Sequence, residues 1–96
     1  MSACVYILRL RSGGLYVGCA ANIQKRYQDH LKGQACRTTK LDPPVSIVYS
    51  ENHSDFREAR KREAQIKRWS RAKKEALIAG DLEKLRSLSK SRRQSN

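Results

Sequence analysis

Two short runs of β-forming residues around a glycine-containing segment place the strongest constraint on how this chain can fold. The runs are residues 5–8 and 15–17, and the segment between them ends in two adjacent glycines. Glycine adopts positive φ at little cost, so this pattern predicts a β-hairpin. A three-residue loop over 12–14 puts Tyr6 and Tyr16 on one face of the sheet, whereas a two-residue loop separates them. We predict the three-residue loop.

The region that follows predicts a helix. Asn22 is a suitable N-cap, and the helix runs from there to about residue 31, before Gly33. Ile23, Tyr27 and Leu31 follow at i, i+4 and i+8 and form its predicted apolar stripe.

The remainder of the chain predicts one more strand and more helices. In order, these segments are a basic loop over 33–44, a third strand over 45–49, helices over 54–69, 72–79 and 81–88, and a basic, disordered tail over 89–96. A length of 96 residues predicts a single compact domain.

Charge is the strongest compositional signal. Twenty-one Lys and Arg residues against nine Asp and Glu residues give a net charge of +12. An anionic partner would relieve this self-repulsion, and a nucleic-acid backbone is the commonest such partner. No apolar stretch reaches the roughly 18–20 residues of a membrane span, so we expect a cytoplasmic protein without a membrane partner.

The cysteines argue against a disulfide framework. Cys4, Cys19 and Cys36 are odd in number and widely spaced, and neither His30 nor His53 completes a zinc-binding pattern. We expect reduced, partly buried thiols.

One carboxylate lies where an apolar residue is expected. In the helix predicted over 54–69, Phe56, Ala59 and Ile66 mark the face that packs on the sheet, and Glu63 falls inside that stripe. A carboxylate there is costly unless it is paired or bound to a metal. The structural alternative is a salt bridge to a helix neighbour or to Arg26.

Arg26 and His30 lie one turn apart on the first predicted helix and share a face. Arginine can clamp a phosphate, and histidine can transfer a proton near neutral pH. Each residue alone is more often a surface or packing residue, as are the strand tyrosines Tyr6 and Tyr16. Their combination with a helix-borne carboxylate is what favours a site.

These residues resemble the GIY-YIG nucleases over about residues 3–80. Cys4-Val5-Tyr6 stands where the family carries Gly-Ile-Tyr, and Tyr16-Val17-Gly18 stands where it carries Tyr-Ile-Gly. An Arg-x-x-x-His helix and a later helix with a single acidic residue, here Glu63, complete the pattern. The resemblance is greatest to short standalone members. Cys4 replaces a glycine, and Cys19 stands where excision-repair members carry lysine.

The resemblance implies an α+β fold, a small three-stranded antiparallel sheet flanked by helices, with residues 1–88 forming one nuclease domain. It also implies a metal-dependent DNA endonuclease in which Glu63 binds one Mg²⁺ or Mn²⁺ ion. Tyr16 is then the general base, with Tyr6 as second choice; Arg26 stabilises charge on the phosphate, and His30 relays a proton or contacts the phosphate.

Two other functions fit the same composition. One is a nucleic-acid-binding module on this fold without catalysis, and the other is an RNA-associated structural protein; RNA also remains a possible substrate. For binding the nucleic-acid backbone, the candidate residues are Arg37, Lys40, Lys67, Arg68 and Lys73.

Overall fold

The computed structural model describes the backbone of residues 2–94 and the side chains of residues 2–88. In chain order, the elements are β1 (Ala3–Leu10), β2 (Leu15–Ala20), α1 (Ile23–Leu31), α2 (Arg37–Leu41), β3 (Pro44–His53), α3 (Phe56–Lys67), α4 (Arg71–Ala79) and α5 (Leu82–Gln94). The strands form one antiparallel sheet in the order β2-β1-β3, so β1 is central. The predicted α+β class is confirmed.

The turn between β1 and β2 lies one residue earlier than predicted. The Leu10 amide donates to the Gly14 carbonyl at 2.9 Å, and the Gly13 amide donates to the Leu10 carbonyl at 2.8 Å. Gly13 has a φ of 93°, in the left-handed region that glycine enters without strain. The loop therefore covers residues 11–13 instead of 12–14.

Moving the loop by one residue changes the pairing register by two, which leaves every side chain on its predicted face. Tyr6 is opposite Gly18, and Leu8 is opposite Tyr16. Tyr6 and Tyr16 therefore lie on the same side of the sheet, as predicted.

The two faces of the sheet pack differently. Ala3, Val5 and Ile7 lie on one side, which we call the apolar face; Tyr6 and Tyr16 lie on the other, which we call the tyrosine face. The main core on the apolar face also includes Val17, Ala59, Ile66 and Leu77. Side chains from β2, β3 and α1 surround the tyrosine face.

Helix α1 begins and ends as predicted, but one residue of its buried face is different. The Asn22 side chain accepts from the Lys25 amide, and Gly33 beyond the helix has a φ of 73°. Leu31 is 46% exposed, whereas His30 is buried. His30 is seven residues after Ile23 and lies almost directly above it, whereas Leu31 is rotated about 100° away.

The segment predicted as a basic loop contains the short helix α2, and β3 extends four residues beyond its predicted end. Helix α2 has no apolar periodicity that could have revealed it. Helix α3 begins two residues later than predicted, because the Asp55 side chain caps it by accepting from the Glu58 amide at 2.8 Å.

Helix α5 continues past Leu88 into the segment predicted to be a disordered tail. The side chains from residue 89 onward and residues 95–96 lie outside the described part, so the boundary at residue 88 stays a prediction. Cys4, Cys19 and Cys36 are free thiols, as expected. Within the described residues, no helix combines the length and the apolar character that crossing a membrane requires.

Candidate active site

A buried chain of three polar side chains lies beneath the tyrosine face. The Tyr6 hydroxyl is 2.9 Å from His30 Nε2, and His30 Nδ1 is 2.8 Å from the Thr39 hydroxyl. All three residues are at most 2% exposed. Burying three polar groups is tolerable because each has a hydrogen-bond partner.

The hydrogen-bond partners of His30 favour one tautomer of its ring. The Thr39 hydroxyl can donate to the Cys36 carbonyl at 3.5 Å, which leaves its oxygen to accept from His30 Nδ1–H. His30 Nε2 then accepts from the Tyr6 hydroxyl. Burial, followed by the charge of Arg26, lowers the pKa of His30, which favours this neutral form.

Tyr16 packs against the same histidine from a more open position. The edge-on contact of its ring with His30 has a centroid distance of 5.1 Å, and Tyr16 is partly exposed. Burial and a hydrogen bond to the Cys36 thiol raise the pKa of Tyr16 to about 12, and the nearby Glu63 carboxylate adds to this rise. Burial raises the pKa of Tyr6 still further.

Arg26 supplies positive charge to this cluster from the exposed side of α1. Against the larger effect of burial, its guanidinium lowers the pKa of Tyr6 and the pKa of Tyr16. Arg26 is therefore close to both hydroxyls, where it can offset negative charge that develops at either one.

Because Gly18 has no side chain, the Tyr6 ring can occupy the space beside it. A Cβ atom added at Gly18 would lie 2.6 Å from the Tyr6 hydroxyl oxygen and 3.2 Å from a ring carbon of Tyr16. Any side chain at Gly18 would therefore displace the Tyr6 hydroxyl from His30. This close approach explains the glycine of the second motif.

Glu63 lies beside the edge strand β2, between α3 and the sheet. Its side chain is 18% exposed; Oε2 is 3.2 Å from Lys67 Nζ, and Oε1 accepts from the Cys19 thiol at 3.4 Å. The alternative of a salt bridge to a helix neighbour is thus realised with Lys67. Because Lys67 is 53% exposed, this pair contributes only a few tenths of a kcal/mol.

The Glu63 carboxylate is suited to a hard metal ion. Mg²⁺ is commonly held by one or two carboxylates together with water and substrate phosphate. Burial and the Glu63 carboxylate raise the pKa of Cys19 to about 11. The described residues contain no cluster of three or more His, Cys, Asp or Glu side chains that could hold a metal. The donor set therefore fits Mg²⁺ or Mn²⁺ better than zinc.

The structure brings the five predicted site residues into one neighbourhood. Two residues that the sequence analysis did not select, Thr39 and Cys36, also contact it. Thr39 lies nine residues after His30 in a segment of basic and polar residues, where no periodicity marks it as buried. Only the two consecutive threonines before Lys40 distinguish this position in the sequence.

The predicted backbone-binding residues lie in two places. Arg37 and Lys40 are exposed on α2, and Lys67 and Arg68 are exposed at the end of α3. Lys73 is only partly exposed and lies over the Trp69 ring, with its nitrogen 4.3 Å from the ring centroid. Lys67 also pairs with Glu63, so it contacts a predicted site residue directly.

The fold and this cluster together define a class of protein. A family model described as the GIY-YIG catalytic domain matches residues 2–76 of the chain. The protein therefore belongs to the GIY-YIG family, whose members are usually nucleases that act on nucleic acid.

Individual relatives agree with this assignment. A UPF0213 protein of Staphylococcus saprophyticus is 44% identical over 75 residues, which are 78% of this chain and 92% of the relative. A UPF0213 protein of Staphylococcus aureus is 42% identical over 74 residues, which are 77% of this chain and 90% of the relative. The solution NMR structure of a UPF0213 protein from Bacillus halodurans matches with a TM-score of 0.54 and 30% identity, covering 82% of this chain and 84% of that one.

Proposed function

We propose that this protein is a metal-dependent endonuclease that hydrolyses DNA phosphodiester bonds in the cytoplasm. The observation that carries the proposal is the convergence of Tyr6, Tyr16 and His30 with the charges of Arg26 and Glu63. Arg26 acts on both tyrosine hydroxyls, and Glu63 acts on that of Tyr16.

Tyr16 is the general base in this proposal. It is the more exposed of the two tyrosines, so water can reach its hydroxyl more easily than that of Tyr6. Because the pKa of Tyr16 is raised to about 12, the phenolate needs additional positive charge at neutral pH. The Arg26 charge already acts on that pKa, so the further charge would come from the bound metal ion, and Arg26 stabilises charge on the phosphate as water attacks.

Tyr6 and His30 position the reacting groups. The Tyr6 hydroxyl donates to His30 Nε2, so its oxygen can accept from Arg26 with one lone pair and from an attacking water with the other. His30 accepts the Tyr6 hydrogen bond because it is neutral, and Thr39 holds its ring in the required orientation. Tyr6 is therefore the second candidate for the base.

Glu63 is the proposed ligand of Mg²⁺ or Mn²⁺. The bound ion would polarise a phosphate oxygen and offset negative charge in the transition state. Lys67 is 53% exposed and can leave the carboxylate, which frees Oε2 for the ion.

The test is cleavage of a panel of end-labelled nucleic acids in Mg²⁺, Mn²⁺ or EDTA. The panel contains duplex, single-stranded and branched DNA and single-stranded RNA. We expect DNA cleavage by the intact protein with either metal and none in EDTA. Binding of the panel without cleavage in either metal would instead identify a non-catalytic nucleic-acid-binding module.

A further inference from the structure

A groove adjoins the candidate active site where α1 and α3 begin. Its lining includes Cys19, Asn22, Lys25, Arg26, Asp29 and Phe56, and we call it the α1–α3 groove. Two of these residues also belong to the site: Arg26 acts on the tyrosine hydroxyls, and Cys19 donates to Glu63. The groove is therefore continuous with the place where a scissile phosphate would bind.

Phe56 is the one exposed aromatic residue among the described side chains. It is 39% exposed, although its position in the helical pattern predicts a core residue, whereas Ala59 and Ile66 of the same stripe are fully buried. A single exposed apolar side chain is common on protein surfaces, so exposure alone proves nothing. The position of this ring inside a groove beside the site is the informative observation.

Cations flank the ring. The guanidinium carbon of Arg60 lies 6.0 Å from the Phe56 ring centroid, at the outer limit of a cation–π contact. Lys25 and Arg26 approach from α1. An accessible aromatic ring in a cationic groove is the arrangement that binds single-stranded nucleic acid, because bases stack on the ring while cations contact the backbone. Bases in a duplex are already stacked on one another and cannot occupy it.

The spacing along α3 fits a short stretch of nucleic acid. Phe56 and Glu63 are seven residues apart, so they lie on nearly the same side of the helix, about 10 Å apart along its axis. That separation corresponds to a few nucleotides, and Arg60 lies between the two residues.

We propose that the α1–α3 groove binds an unpaired nucleobase close to the scissile phosphate, stacked on Phe56. This inference rests on the proposed function and specifies its substrate class: DNA with a single-stranded segment next to the cut. In this proposal, Lys25 and Arg60 contact the phosphates of that segment.

The experiment measures binding of the full chain to fluorescent oligonucleotides in EDTA, so that cleavage does not interfere. A single strand is compared with a duplex of equal length. Phe56→Leu keeps an apolar side chain of similar size but removes the ring, and should weaken single-strand binding about tenfold. Duplex affinity should change less than about twofold, and Phe56→Trp should bind the single strand at least as tightly as the unmodified protein.

Two controls separate stacking from charge and from general loss of apolar surface. Leu82→Ala removes an apolar side chain that is 67% exposed on α5, and should leave both affinities unchanged. A single strand with abasic positions should bind the unmodified protein only as tightly as the intact strand binds Phe56→Leu. Melting curves confirm that each variant is folded.

Equal weakening of single-strand and duplex binding by Phe56→Leu would overturn the inference, as would unchanged single-strand affinity. If Phe56→Leu changes the mass of the oligomer in solution and leaves oligonucleotide binding unaffected, Phe56 contacts a second copy of the chain instead. If the unmodified protein binds neither oligonucleotide, the proposed function itself fails. Because the assay contains no metal, cleavage activity has no influence on these outcomes.

Discussion

The two faces of one three-stranded sheet are built from different chemistry. On the apolar face, Val5 and Ile7 pack against Ala59 and Ile66, all of them fully buried. On the tyrosine face, an equally buried stretch consists of hydroxyl and imidazole groups linked end to end. Burial therefore stabilises the fold on one face and fixes the orientation of polar groups on the other.

The strand period makes this division possible. Consecutive residues of β1 point to opposite faces, so the Tyr6 side chain lies in the site while those of its neighbours lie in the core. The faces meet at the edge strand β2, where Glu63 approaches from α3 and raises the pKa of Tyr16 on the opposite face, in addition to the larger effect of burial. Substitutions on the tyrosine face should therefore mainly affect cleavage, and those on the apolar face should mainly affect stability.

The largest effect is expected on the tyrosine face. Tyr16→Phe keeps the ring contact with His30 but removes the hydroxyl that accepts the proton. Cleavage should fall by about 10²–10⁴-fold, the usual contribution of a general base. Single-turnover cleavage rates measure this change. Tyr6→Phe is the matched variant, and an inactive Tyr6→Phe beside a nearly normal Tyr16→Phe would assign the base to Tyr6.

A core substitution on the apolar face should show the opposite pattern. Ile66 is fully buried, so Ile66→Ala should lower the free energy of unfolding by about 2–5 kcal/mol, through lost burial and the cavity left behind. Urea unfolding measures the loss, and cleavage per folded molecule should stay near normal. A fall in cleavage as large as that of Tyr16→Phe, in fully folded protein, would show that the faces are not independent.

A smaller effect is expected at Thr39, which touches no substrate and acts through His30. Thr39→Val keeps the shape but leaves His30 Nδ1–H without its partner, at a cost of about 1–3 kcal/mol in stability. Mis-orientation of the ring should slow cleavage about tenfold, equivalent to about 1.4 kcal/mol. Thr39→Ser retains a hydroxyl and should restore the rate. Failure of Thr39→Ser to differ from Thr39→Val would remove the positioning role.

The smallest effect concerns the basic surface outside both faces. If Arg37 contacts a phosphate, Arg37→Gln should reduce the salt dependence of duplex binding, lowering the slope of log affinity against log salt by about 0.9. Lys84→Gln removes the same charge from exposed α5 and should leave the slope unchanged. Titrations at several salt concentrations compare them, and identical slopes would mean that Arg37 contributes only net charge.

Local signals allowed the sequence to predict much of this architecture. The Asn22 cap and the turn glycines act on adjacent backbone, so α1 and the hairpin could be predicted from neighbouring residues alone. The single face of Tyr6 and Tyr16 was predictable even with the turn misplaced, because side-chain direction repeats every second residue.

What could not be predicted depends on contacts between distant segments. The burial of His30 in place of Leu31 follows from its bonds to Tyr6, 24 residues before it, and to Thr39, nine residues after it. Helical phase brings His30 within about 20° of Ile23, which permits its burial, but the hydrogen-bond partners that make a buried imidazole tolerable lie in other segments. Phe56 likewise lies in a helical stripe whose Ala59 and Ile66 are fully buried, so helical phase alone did not predict its exposure.

The proposed role of Glu63 as the metal ligand is tested most directly by substituting this residue, which lies where the two faces meet. Glu63→Gln removes the negative charge but keeps the shape, and the lost pair with exposed Lys67 is worth less than about 1 kcal/mol. Thermal stability, DNA affinity in EDTA and Mg²⁺-dependent cleavage are measured on the same sample. We predict a stable variant that binds DNA and does not cut it. A variant that unfolds easily yet still cleaves in its folded fraction would contradict the account.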